Sequence, residues 1–180
     1  FVNTAKDIRT ELNLSKDDKI ILIMLGSMGF GNILDLLKQL ENENYKIITI
    51  CGTNTKLLEE IQDRNFKNVI PFGFTKNIND FIYTADIVVS KPGGLSSTEI
   101  ASIRKPLIHM FAIPGIETYN MNYFKEHNMS LNCNNYLELK DMINELLYNK
   151  ELQTKLINNQ NKYINSESAK ELVNIIKENF

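Results

Sequence analysis

The residues of this chain best suited to chemistry fall in one run of ten, Ser90-Lys91-Pro92-Gly93-Gly94-Leu95-Ser96-Ser97-Thr98-Glu99. The apolar stretch before it, residues 85–89, reads as a short buried strand, and residues 95–104 after it read as a helix. Pro92 has no N–H for a strand ladder and so ends the strand, while Gly93 and Gly94 permit positive φ and leave no Cβ in the way of a ligand. The helix start then offers unpaired N–H groups, the positive end of a dipole and the hydroxyls of Ser96 and Ser97. This chemistry suits an anion, phosphate above all. Glu99, one turn further on, brings a carboxylate able to accept hydrogen bonds from a pair of sugar hydroxyls. The same residues also fit an ordinary strand-to-helix turn with a capping serine, since glycine-rich turns are common in α/β domains.

Similar turns recur along the chain. Residues 19–25 form an apolar run without alternation, as in a strand covered on both faces. The run ends at Gly26-Ser27-Met28-Gly29-Phe30-Gly31, and an amphipathic helix follows over residues 32–41. A strand over 45–51 leads through Gly52-Thr53-Asn54 into a helix at 55–64, and a shorter strand at 68–72 leads into the loop Gly73-Phe74-Thr75-Lys76-Asn77. A brief helix spans 78–84. Lys105-Pro106 breaks the chain before a strand at 107–111, and the loop containing Pro114, Gly115, Glu117 and Asn120 runs into a helix ending near residue 125. Residues 130–132 read as a short last strand, and helices follow at 136–147, 150–164 and 168–180. Residues 4–13 read as a short helix with Ala5, Ile8 and Leu12 on one face and Thr4 as its cap.

Strands alternating with helices through short turns predict an α/β domain with a parallel sheet of about six strands and helices on both faces. Ligands of such sheets bind beyond the carboxyl ends of the strands, near a change in strand order. Every glycine turn named above follows a strand, so the turns are expected along one edge.

A chain of 180 residues is long enough for one domain with its own core. Net charge is −2 with both signs interspersed, so no basic face points to nucleic acid and no acidic tail to a basic partner. Cys51 and Cys133 fit no metal spacing and read as reduced and buried. His109 and His127 are too few for a histidine-based metal site, and each stands where a structural histidine is common. No apolar run approaches the roughly 20 residues that span a bilayer, and the N-terminus has no secretory pattern, which predicts a cytoplasmic protein. Phe1 is not an initiator methionine, as expected if a longer protein carries this chain.

The run ending in Glu99 resembles the Lys-Pro-Gly-Gly-x-x-x-x-Glu loop and helix of GT-B glycosyltransferases. The branch is that of MurG, plant galactolipid synthases and processive diacylglycerol glucosyltransferases. Pro114-Gly115-x-Glu117-x-x-Asn120 resembles a second motif of that branch, in the form typical of its lipid glucosyltransferases. The resemblance covers nearly all of the chain from residue 19 onward and implies the C-terminal, donor-binding half, a Rossmann-like three-layer αβα sandwich. It implies a UDP-sugar as donor substrate. Gly26, Ser27 and Gly29 match a loop facing the diphosphate, and Phe74 and Thr75 match a loop whose backbone reads the base. Gly93, Gly94, Leu95 and Ser96 match the diphosphate-binding turn, Glu99 the glutamate that holds the ribose, and Glu117 and Asn120 residues near the donor sugar. Ile116 departs from the branch, which often has glutamine there, so the donor sugar stays open between glucose, galactose and N-acetylglucosamine. Cys51, Gly52 and Asn54 resemble a further loop of the branch, where packing is the expected use.

Each of these residues also has an ordinary use: Ser27 as a cap, Glu99 as a first-turn glutamate favoured by the dipole, Lys91 as a solvated surface lysine. Taken together at one sheet edge they favour a ligand site. The chemistry implied is attack of an acceptor hydroxyl on the anomeric carbon, with charge growing on the departing diphosphate and met by fixed N–H groups. No Asp-x-Asp motif is present, so no metal or other cofactor is expected. The resemblance places the acceptor site and general base in an N-terminal half absent from this chain, so no catalytic residue is assigned within it. Expected partners are a UDP-sugar and, through that missing half, a diacylglycerol-type lipid at the inner face of the cell membrane. Three readings follow: the donor half of an inverting lipid hexosyltransferase, or of a MurG-like UDP-GlcNAc transferase; a donor-binding subunit of a split transferase; and a non-catalytic nucleotide-binding module or epimerase half.

Overall fold

The computed structural model describes residues 4–25, 33–110 and 112–179. In chain order the elements are β1 (Ile20–Met24), α1 (Ile33–Leu40), β2 (Lys46–Ile50), α2 (Thr55–Arg64), β3 (Val69–Phe72), α3 (Ile78–Thr84) and β4 (Ile87–Ser90). They continue with α4 (Gly94–Ser102), β5 (Leu107–Met110), α5 (Ile116–Glu126), β6 (Leu131–Cys133), α6 (Tyr136–Tyr148), α7 (Lys150–Tyr163) and α8 (Ser168–Asn179). The six strands form one sheet in the order β3-β2-β1-β4-β5-β6, and every neighbouring pair is parallel. Strand order reverses between β1 and β4, the position at which sheets of this kind take their ligands.

The apolar runs are continuous because both faces of the sheet are covered. Successive residues point to opposite faces, and β1 divides accordingly: Ile21 and Ile23 join one buried cluster, Ile20 and Leu22 the other. The first cluster is closed by Leu36, Leu37 and Leu40 of α1, Ile61 of α2, Leu139, Ile143, Leu146 and Leu147 of α6, and Leu156 of α7. The second is closed by Phe81 and Ile82 of α3, Ile100 and Ala101 of α4, and Phe124 of α5. Cys51 and Cys133 are buried free thiols.

Two local expectations are corrected. Residues 4–13 are not an α-helix: residues 5–8 have no regular structure and residues 9–13 form a turn. Their amides are used elsewhere: Lys6 N donates to Asp80 Oδ1 at 3.0 Å and Ile8 N to Thr84 Oγ1 at 2.9 Å, both on α3. Ile8 still buries its side chain, so the apolar spacing was read correctly and the backbone state was not. The helix after the glycine pair begins at Gly94 and ends at Ser102 rather than 104, because Arg104 turns left-handed at φ 62°. The guanidinium of Arg104 then donates to the carbonyls of Ala101, Gln160 and Ile164, fastening α4 to the end of α7.

Candidate functional site

β4 reaches the carboxyl edge through Ser90, and the chain turns through Lys91-Pro92-Gly93 into α4. Gly93 is the N-cap, with φ −69° and ψ 139° and no side-chain cap. Positive φ is therefore not what the glycine pair supplies, contrary to expectation; among the described glycines only Gly52 and Gly115 adopt it. Clearance is what remains. A Cβ on Gly93 would meet nothing within 4 Å, and one on Gly94 would meet only Asn120 Nδ2 at 3.6 Å. The first intrahelical bond runs from Ser97 N to Gly93 O at 2.9 Å. The N–H groups of Gly94, Leu95 and Ser96 therefore have no acceptor among the described residues, and the positive end of the helix dipole stands behind them.

The two serines of the turn divide. Ser96 faces a cavity, whereas Ser97 is fully buried with its Oγ 2.9 Å from His109 Nε2, so its hydroxyl is not offered to an anion as expected. Thr98 Oγ1 bonds back to Gly94 O and Leu95 O.

The cavity that Ser96 lines has a volume of about 240 Å³ and is walled by Met24, Ile50, Gly52, Phe74, Thr75, Ile78 and Glu99. It lies at the carboxyl ends of β1, β2 and β3 beside the start of α4. Four of the expected residues, Phe74, Thr75, Ser96 and Glu99, thus meet around one space although 25 positions of sequence separate the first from the last. Glu99 has no ion pair or side-chain hydrogen bond among the described residues; it is exposed, and desolvation against the cavity wall raises its carboxyl pKa above the ordinary glutamate value. Phe74, which lines the cavity, is 69 % exposed, and Leu95 in the first turn of α4 is 81 % exposed. Met24, Ile50 and Ile78 were not singled out in the sequence, because a strand end that floors a cavity reads like any buried strand end.

Glu117 and Asn120 gather instead on the far side of the turn, from α5. Asn120 Nδ2 donates to Pro92 O at 3.0 Å. Glu117 Oε1 accepts from Lys91 Nζ at 3.0 Å, and Oε2 accepts from Ile113 N at 2.7 Å. Both carboxylate oxygens are engaged by the protein, and both side chains of the Lys91–Glu117 pair are more than four-fifths buried. Lys91 is accordingly not the solvated lysine of the alternative reading. Gly26, Ser27 and Gly29 lie outside the described residues. Asn54 caps α2 by accepting from Leu57 N at 3.0 Å, a packing use as expected, while Gly52, at φ 58°, lines the cavity.

A six-stranded parallel sheet with helices on both faces and a reversal of strand order between β1 and β4 makes this a Rossmann-like α/β domain. The chain matches the model of the "Glycosyltransferase family 28 C-terminal domain" over residues 20–177, and it belongs to that family. It is 29 % identical over 145 residues to the processive diacylglycerol beta-glucosyltransferase of Bacillus subtilis, covering 78 % of this chain and 38 % of that protein. The fold is that of MurG from Acinetobacter baumannii, with a TM-score of 0.74 at 18 % identity over 98 % of this chain and 55 % of that one. It is equally that of the UDP-GlcNAc 2-epimerase from Neisseria meningitidis, solved with UDP-GlcNAc, at a TM-score of 0.72 and 18 % identity, covering 96 % and 47 %. The chain thus spans about two-fifths of the length of the curated relatives it matches.

Proposed function

We propose that this chain is the donor-binding half of an inverting glycosyltransferase that moves glucose or galactose from a UDP-sugar to a diacylglycerol-type lipid. The observation that carries the reading is the conjunction at α4: among the described residues, three N–H groups without acceptors, open space at Gly93, and a Glu99 without a partner at one cavity with Phe74 and Thr75. The diphosphate takes the amides of Gly94, Leu95 and Ser96, the ribose hydroxyls donate to Glu99, and the base enters the cavity against Phe74 and Thr75. Charge develops on the leaving diphosphate as the glycosidic bond breaks. Amides already fixed in place stabilise it more than they stabilise the ground state.

The relatives' name supports the lipid acceptor, and we assign its site to the length of those relatives that this chain does not span. A general base belongs to the same missing length. No helix among the described residues is long and apolar enough to cross a membrane. Contact with the cytoplasmic face of a membrane is therefore assigned to the full-length protein as a peripheral association.

Glu117 enters this reading differently from a direct sugar ligand. With both oxygens engaged, it braces the turn through Lys91, and a sugar hydroxyl would have to displace one of two existing donors.

Calorimetry with UDP, GDP and ADP tests the assignment. UDP is expected to bind most tightly, and Glu99→Ala to weaken it by about 1–3 kcal/mol, as for a hydrogen bond to a charged group. Equal affinity for the three nucleotides would defeat the base assignment, and unchanged binding in Glu99→Ala would defeat the ribose contact. Transfer of sugar to a lipid requires the full-length protein, and vesicles containing diacylglycerol and labelled UDP-glucose or UDP-galactose distinguish the two donors.

A further inference from the structure

Directly behind the candidate site, a polar chain crosses the otherwise apolar packing between α4 and the sheet. His109 of β5 is fully buried. Its Nε2 is 2.9 Å from Ser97 Oγ on α4, and its Nδ1 is 3.1 Å from Ser130 Oγ, which precedes β6. Ser130 Oγ in turn lies 3.2 Å from Asn132 Oδ1. Phe124 of α5 packs edge-on against the imidazole, with centroids 5.1 Å apart.

With Asn132 Oδ1 facing Ser130, Ser130 gives it the hydroxyl proton and accepts from His109 Nδ1–H, and Nε2 accepts from Ser97 Oγ–H. Rotating the Asn132 amide by half a turn brings its Nδ2, buried without a partner as placed, towards Ser130 and reverses the chain. The bond between Ser97 and His109 stands in both arrangements. Burial favours the neutral ring in either case, holding the imidazole far below its ordinary value.

α4 needs such a tie. It buries only Ser97, Ile100 and Ala101, two of them small, and apolar packing is non-directional, so packing alone leaves rotation about its axis weakly determined. A hydrogen bond has a direction. Ser97 stands one turn from Gly93, and its own N–H closes the first turn on Gly93 O, so the bond to His109 sets the angle at which the preceding amides face the sheet edge.

We propose that His109, as a neutral imidazole, is the positioning residue that orients the first turn of α4 through Ser97 and thereby aims the amides of Gly94, Leu95 and Ser96. The inference rests on the donor-site reading above for its functional consequence, but not for its geometry.

The test compares two partial replacements. Glutamine at 109 can present an oxygen near the Nε2 position, and asparagine only near Nδ1. His109→Gln is expected to keep UDP affinity close to that of the parent, whereas His109→Asn and Ser97→Ala lose about five- to tenfold, the worth of one hydrogen bond. Thermal unfolding should place His109→Asn and His109→Gln close together, which separates aim from stability. Nitrogen NMR of the unaltered chain should show one protonated and one bare ring nitrogen, and the amide signals of Gly94 to Ser96 should move in His109→Asn and Ser97→Ala but not in His109→Gln. A ring protonated on both nitrogens at pH 7, or unchanged amide signals in Ser97→Ala, overturns the proposal even if His109→Gln does not fold. If the parent binds no UDP, the donor-site reading falls, and the amide signals still decide the role of His109.

Discussion

The turn after β4 and the turn after β5 lie side by side at one edge of the sheet, each passing from a buried strand through Pro and Gly into a helix. At Gly93 the backbone is in a conformation open to any residue, φ −69°, and the space where a Cβ would stand is vacant. At Gly115 nothing crowds the Cβ position either, but φ is 108°, a region that L side chains rarely enter. Among the described residues, one glycine keeps room clear above a helix start whose amides have no acceptor; the other is required by the path of the chain. The carboxylates of the two helices divide in the same way. Glu99 is left without a partner among the described residues, while Glu117 is held by Lys91 and Ile113 N. The second turn thus acts as the frame of the first: Asn120 grips Pro92 O, and Glu117 grips Lys91.

The largest expected effect addresses what joins the two turns beneath the surface. The buried His109 has its pKa lowered to about 3 from 6.5, so the unfolded chain takes up that proton first. Stability that this group contributes above pH 6.5 is therefore lost as pH falls towards 3, by about 1.4 kcal/mol per pH unit. Urea unfolding at pH 7, 6 and 5 should show this slope in the parent and lack it in His109→Gln. Parallel slopes would mean that the ring takes up its proton within the fold.

Removing the brace comes next. Lys91→Ala leaves the Glu117 carboxylate largely buried with one donor fewer, and a loss of about 1.5–3 kcal/mol is expected in denaturant unfolding. Gly115→Ala should cost about 1–3 kcal/mol for the strained φ, again without any ligand present. Gly93→Ala is the smallest in stability, within about 0.5 kcal/mol of the parent, yet it should weaken UDP binding, because the added methyl enters the space above the amides. If Gly93→Ala and Gly115→Ala proved alike in both stability and binding, the distinction between the two turns would be gone.

Much of the fold was legible because its signal is local. Apolar runs of strand length between glycine turns located all six strands to within a residue or two, and the absence of alternation correctly announced a sheet covered on both faces. The failure over residues 4–13 has the opposite cause. Ala5, Ile8 and Leu12 have helical spacing, but the amides of Lys6 and Ile8 go to Asp80 and Thr84, more than 70 positions away, and no local pattern reports such partners. The candidate site was legible in its residue types and only partly in its arrangement. Phe74, Thr75, Ser96 and Glu99 were each named from sequence, and the structure brings them to one cavity; Ser97 was named beside Ser96 but turns the other way, because a step of one residue on a helix swings the side chain by about 100°.

By itself, then, the sequence determined which segments form strands and helices, which turns follow strands, and which residues there carry donors and carboxylates. Those properties depend on neighbours in the chain. Only the tertiary structure decided which carboxylate stays available and which is consumed, that glycine at 93 serves clearance while glycine at 115 serves the backbone, and that a buried histidine ties α4 to β5. These are relations between groups far apart in sequence, set by the 3.0 Å and 2.9 Å contacts of Lys91 with Glu117 and of Ser97 with His109. Such contacts exist only once strand order and helix packing have brought the partners together.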